Sequence, residues 1–139
     1  MKASYWLVKT EPHTFSFEQL LREGKTNWNG VRNFQARNFL RQMKTQDQVL
    51  VYHSGDEKSV VGRAQVIREA YPDIDERKPG DWVQVDLQVI EGFRRKVSLS
   101  EMKKTPSLSD LLLIKQSRLS VMPITPQQFE TLLSLGDAS

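Results

Sequence analysis

At 139 residues the chain has the length of one compact domain, residues 1–139, enough to bury about two thirds of the surface its unfolded form exposes. With 38% hydrophobic and 27% charged residues it has an ordinary water-soluble composition; the lack of cysteine excludes disulfides, thiolate nucleophiles and cysteine-ligated metal centres. The net charge of +3 divides unevenly: residues 1–70 carry eleven Lys and Arg against seven Asp and Glu, and residues 71–139 carry nine against ten.

Ser4 to Thr10, rich in aromatic and β-branched residues and followed by Glu11-Pro12, predicts a first strand. Thr14 or Ser16 can cap a short helix through Phe17, Leu20 and Leu21 that Gly24 ends, and Trp28 to Arg32 reads as an irregular link. From Asn33, an N-cap residue type, Ala36, Phe39, Leu40 and Met43 fall at i, i+3, i+4 and i+7 and predict a helix with Arg37, Asn38 and Arg41 on its outer side. Val49 to Ser54 is the next strand. Val60 to Ile67 follows, interrupted by Gly62, which marks a bulge, a bend or a close approach. Trp82 to Val89 alternates apolar and polar residues as a strand with one wet face, and Arg94-Arg95-Lys96 is expected in a solvated loop after it. Leu108 to Ile114 reads as a short helix and Leu119 to Ile124 as a strand. Thr125-Pro126-Gln127-Gln128 carries the signals that open a last helix ending at Gly136. Strands with helices inserted early and appended late indicate an α+β fold.

Some patterns of known chemistry fail. Gly24-Lys25-Thr26 lacks the first glycine of a phosphate-binding loop, and His53-Ser54-Gly55-Asp56 lacks a nucleophile elbow, since neighbours on a strand face opposite ways. His13 and His53 have no metal spacing, and Asp73, Asp75 and Glu76 read as a solvated turn around Pro72, so neither a metal nor a cofactor is expected. No apolar run has the length of a membrane helix or a secretory signal, which predicts a cytoplasmic protein away from membranes. The segment from Glu23 to Asp47 is distinctive: Lys25, Arg32, Arg37, Arg41 and Lys44 stand without an acid between them, beside Trp28, Asn33, Phe34, Gln35 and Asn38. Cations interleaved with rings and amides suit nucleic acid, and they equally suit a solvated helix face.

The blocks Tyr5-Trp6-Leu7-Val8-Lys9-Thr10-Glu11-Pro12, Trp28-Asn29-Gly30-Val31-Arg32-Asn33 with Gln35-Ala36-Arg37-Asn38, Tyr52-His53-Ser54, Glu69-Ala70-Tyr71-Pro72-Asp73, and Ser117-Arg118-Leu119-Ser120-Val121 with Pro123 span nearly the whole chain. In these blocks the chain resembles the EVE domain family. The resemblance implies a PUA-like fold, a curved, partly closed β-barrel flanked by short helices, and a concave pocket for a modified base. The partner it implies is DNA or RNA bearing such a base, bound by a monomer without catalysis. A small enzyme acting on a modified nucleoside, with Lys9 as base, and a protein-binding scaffold are the alternatives. The family's pocket-forming blocks match at Trp6, Lys9, Trp28, Gly30, Val31, Arg32, Asn33, Tyr52, His53, Ser54 and Arg118.

Within that frame Trp28 or Trp6 is the stacking ring. Asn33, Ser54 and the backbone near Gly30 and Val31 supply edge hydrogen bonds, and Lys25, Arg32, Arg37 and Arg41 hold phosphates. Trp6 and Tyr52 serve equally as core. Lys9 and His53 either line the pocket or serve only to anchor a loop or pair with Glu11. Arg118 either clamps a phosphate or braces the last helix. Gln46 stands where many members of the family have glycine.

Overall fold

A computed structural model describes residues 4–138. The first strand is β1 (Tyr5–Thr10), and α1 (Phe17–Glu23) starts where Ser16 accepts the Gln19 N–H and stops at Gly24, whose φ of +82° suits glycine. The stretch read as a link begins with a strand, β2 (Lys25–Trp28). One apolar residue in four leaves no alternation to read, and the strand exists because the outer edge of β5 pairs with it, Lys25 opposite Gln88 through Trp28 opposite Val85. Then comes α2 (Phe34–Gln42), where the Asn33 side chain accepts the Ala36 N–H and Ala36 and Leu40 turn to the core as the spacing predicts.

β3 (Gln48–His53), β4 (Ser59–Pro72) and β5 (Val83–Ser98) follow. The latter two are far longer than predicted. Arg94-Arg95-Lys96 is solvated as expected but lies inside β5, not in a loop, because the strand pairs with β4 on either side of it, Gly92 opposite Gly62 and Val97 opposite Val60. The predicted bulge is present, as the β4–β5 register shifts between Val60 and Gly62. The single helix expected over 108–114 is a 3₁₀ turn (Pro106–Leu108) and a short α4 (Leu112–Lys115), preceded by α3 (Leu99–Lys103). Strand β6 (Val121–Ile124) leads into α5 (Pro126–Leu135), which Thr125 and Gln128 open with a reciprocal capping box.

The six strands form one sheet in the order β2-β5-β4-β3-β1-β6, with β1 parallel to β3 and every other pair antiparallel. The fold is α+β, with short helices packed on the sheet. β2 and β6 are its two ends, so the ladder among the described residues is open, where the resemblance implied a partly closed barrel. Leu7, Leu50 and Leu87 from the strands meet Leu20, Leu40 and Leu132 from the helices in one fully buried core. Gln46, in the turn before β3, has a φ of +78°, the left-handed conformation in which glycine carries no Cβ penalty.

Candidate functional site

Between the end of β1, helix α1, β2 and the turn that follows it lies a cleft of about 470 Å³, within the roughly 300–1,000 Å³ usual for small-molecule sites. Trp28 supplies one wall. It is only 7% exposed and meets Phe15 edge to face, ring centroids 5.9 Å apart, so the indole is fixed by packing before any ligand arrives. The backbone of Asn29, Gly30 and Val31 supplies the next wall. Gly30 has a φ of +82°, and a Cβ added there would meet no atom within 4 Å, so main chain borders the open space directly.

That turn is clasped from outside. Asp73 accepts the Gly30 N–H at 2.9 Å and Arg32 Nη1 at 3.0 Å, and Asp75 accepts Arg32 Nε at 3.1 Å. Burial pushes the Asp73 carboxyl upward, but the bonds from Arg32 and Gly30 outweigh it and hold the group below the ordinary carboxylate range. The Arg32 hydrogen bond does the same for Asp75 and, with Asp73 as the stronger partner, keeps the guanidinium charged. Arg32 therefore lines the cleft with its charge already matched by two carboxylates.

Lys9 faces the cleft from β1, donating from Nζ to the Ser117 carbonyl at 2.6 Å and lying 5.9 Å from the Tyr52 ring centroid. Burial lowers its pKa. Gln19 and Glu23 from α1, Thr26 and Asn27 from β2, and Ser120 complete a lining of mixed donors and acceptors around aromatic walls. A flat, partly polar ring fits such a space, stacked on one side and hydrogen-bonded along its edge.

The family model for the EVE domain matches residues 4–135. The chain belongs to the EVE domain family. Thymocyte nuclear protein 1 of Rattus norvegicus is 35% identical over 98% of this chain and 75% of its own length. Protein Atu2648 from Agrobacterium tumefaciens has a structure that superposes with a TM-score of 0.92 at 36% identity, over 98% of this chain and 94% of that one. Human THYN1 protein, in a crystal structure in complex with 5-methylcytosine-containing DNA, superposes with a TM-score of 0.89 at 33% identity, over 99% of both chains.

In this EVE domain the cleft gathers Lys9, Trp28, Gly30, Val31 and Arg32 from the residues singled out in the sequence. Trp6 and Tyr52 lie in the core, and the Trp6 indole N–H donates to Asp47 at 2.9 Å. His53 is buried too: its Nε2 accepts the Phe17 N–H and its Nδ1 pairs with Glu57, both at 2.9 Å, so it fastens α1 to β3. Ser54 follows that strand, its N–H on the Thr10 carbonyl, and does not border the cleft. Asn33 commits its side-chain oxygen to the helix cap and borders, with Arg118, a separate hollow of about 310 Å³.

The cations divide as well. Arg37 donates to the Gly80 carbonyl and the Asn38 amide oxygen, and Arg41 to the Asp81 carbonyl, so these two guanidinium groups have no carboxylate partner among the described residues. Lys25 stands exposed at the start of β2, beside a shallow hollow with Tyr71 and Asp86. Sequence reasoning missed Phe15, Gln19, Thr26 and above all Asp73, which it placed in a solvated turn. The signal for Asp73 was its place in the Tyr71-Pro72-Asp73 block.

Proposed function

We propose that this EVE domain binds DNA and takes one modified nucleobase, with 5-methylcytosine the first candidate, into the cleft without transforming it chemically. The observation that carries this reading is a preformed cleft of about 470 Å³ whose walls are a packed indole and bare backbone at Gly30, in a chain that matches the DNA-bound human relative over 99% of its length. Trp28 gives the base a flat wall. The polar groups of Thr26, Asn27 and the 29–31 backbone read its edge, and the clasp from Asp73 and Asp75 keeps that edge in place. Arg37, Arg41, Lys25 and Arg118 hold flanking phosphates, which fixes register without reading sequence.

The test is fluorescence anisotropy with matched duplex and single-stranded oligonucleotides of DNA and RNA that carry one cytosine or one 5-methylcytosine. Tighter binding of a methylated DNA strand than of its unmodified twin is expected. Equal binding to both, or a preference confined to RNA, overturns the reading.

A further inference from the structure

Four large apolar side chains stand exposed among the described residues: Leu21, Phe34, Ile74 and Ile90. Two of them belong to segments fastened to the cleft through Arg32. Phe34 opens α2 two residues after Arg32, and its ring, though 58% exposed, stacks on Trp82 with centroids 5.0 Å apart and 24° between planes. Ile74, 84% exposed, stands between the two aspartates that hold Arg32 and borders, with Trp82, a hollow of about 230 Å³. The Arg32 guanidinium itself lies 5.5 Å from the Trp82 ring centroid. Buried Trp82 thus carries one charged residue of the cleft and the exposed Phe34 ring, and lines the hollow that Ile74 borders.

A phenylalanine more than half in water forgoes the burial that ordinarily draws such a ring inward. This ring is nevertheless held in place, by the Trp82 stack and by Arg37, whose guanidinium carbon is 4.9 Å from its centroid. An exposed ring stacked on a buried indole, with the guanidinium of Arg37, which has no carboxylate partner among the described residues, against it and two residues along the chain from a base-sized cleft, matches a specific physical need. A base taken out of a stack uncovers the face of its neighbour and leaves a gap, and an apolar side chain placed there offsets part of the lost stacking.

Resting on the reading proposed above, we propose that Phe34, with the exposed Ile74 beside the hollow that Trp82 lines, is a wedge that packs against the base next to the one taken into the cleft. Arg37, against the Phe34 ring and bonded to the Gly80 carbonyl, and Arg41, one helical turn further along α2 and bonded to the Asp81 carbonyl, take the phosphates that flank the opened step. Phe34 acts on the neighbouring base and leaves recognition of the extruded base to the cleft.

The test compares the native chain with Phe34→Ala and Phe34→Trp, all three shown by thermal melting to be folded. The probes are a duplex with one 5-methylcytosine, its unmodified twin, and the free nucleoside 5-methyl-2′-deoxycytidine. Phe34→Ala is expected to bind the methylated duplex about tenfold more weakly, the scale of one lost ring–base stack, with nucleoside binding unchanged and Phe34→Trp restoring the duplex. Native-like duplex binding by Phe34→Ala overturns the wedge. Equal loss of duplex and nucleoside also overturns it, since Phe34 would then only shape the cleft through Trp82 and Arg32. A native chain that does not distinguish the two duplexes overturns the base-reading proposal, and the wedge falls with it. A native chain that distinguishes them while Phe34→Ala matches it sinks the wedge alone.

Discussion

Asp73 joins two features of the cleft that are otherwise independent, the left-handed turn at Gly30 and the charge on Arg32. Replacing it with asparagine keeps the size of the side chain and removes the charge. Arg32 then has one carboxylate instead of two and becomes more available to phosphate, while the Gly30 N–H loses its charge-assisted acceptor. Asp73→Asn is therefore expected to raise affinity for unmodified DNA and to cut the preference for the modified strand by about tenfold, both read from paired oligonucleotide titrations. The pH dependence of the clasp has a definite sign. Both carboxyls are held below their ordinary value, so the stability they contribute is present above about pH 4 and is lost only as pH falls through the lowered values. Binding measured between about pH 5 and pH 8 should not vary on account of this clasp.

At the scale of elements, α1 is one wall of the cleft, and Phe17 pins its first turn twice. The Phe17 N–H is held by His53, and its ring lies where a side chain at Gly62 would otherwise be. A Cβ at Gly62 would overlap that ring, so Gly62→Ala is expected to destabilise the fold by about 1–3 kcal/mol in urea denaturation. Alanine fits a strand better than glycine, so a net loss isolates the clash, and a second substitution, Phe17→Leu, should recover part of it. Gly62 was legible because a glycine inside a β-branched run has few explanations. The apolar stripe of α2 and the caps at Ser16, Asn33 and Thr125 were legible because caps and helical spacing are local. β2 was not, since Lys25-Thr26-Asn27-Trp28 becomes a strand only by pairing with residues some sixty positions away. The length of β5 was hidden for a related reason: the exposed charge run Arg94-Arg95-Lys96 reads as a loop until Val97 and Ser98 are seen paired with Val60 and Ser59, some forty positions earlier. In the site, the blocks that line the cleft could be named, but Trp6 and Tyr52 could not be told from core by residue type, because a buried ring and a stacking ring have the same chemistry.

Over the whole molecule the net charge of +3 says little about affinity, because what matters is how many cations are free to displace counterions from DNA. Five were expected to hold phosphates: Lys25, Arg32, Arg37, Arg41 and Arg118. Arg32 is matched by Asp73 and Asp75, and neutralising a phosphate with it would set two half-buried carboxylates against the same anion. That leaves about four, and log K on duplex DNA should fall with log salt at a slope of about −3.6. Arg41→Ala should make that slope shallower by about 0.9 and weaken modified and unmodified strands alike, because its guanidinium is bonded to the Asp81 carbonyl away from the cleft lining. Arg32→Ala should barely change the slope and should instead erode the preference for the modified base, since its loss removes the bonds that tie the Val31 carbonyl and Asp73 together and leaves the turn held by the Asp73–Gly30 bond alone. Titrations of the three chains over a range of salt separate these roles: a slope that falls equally in both variants would mean that Arg32 leaves its aspartates for phosphate when DNA binds.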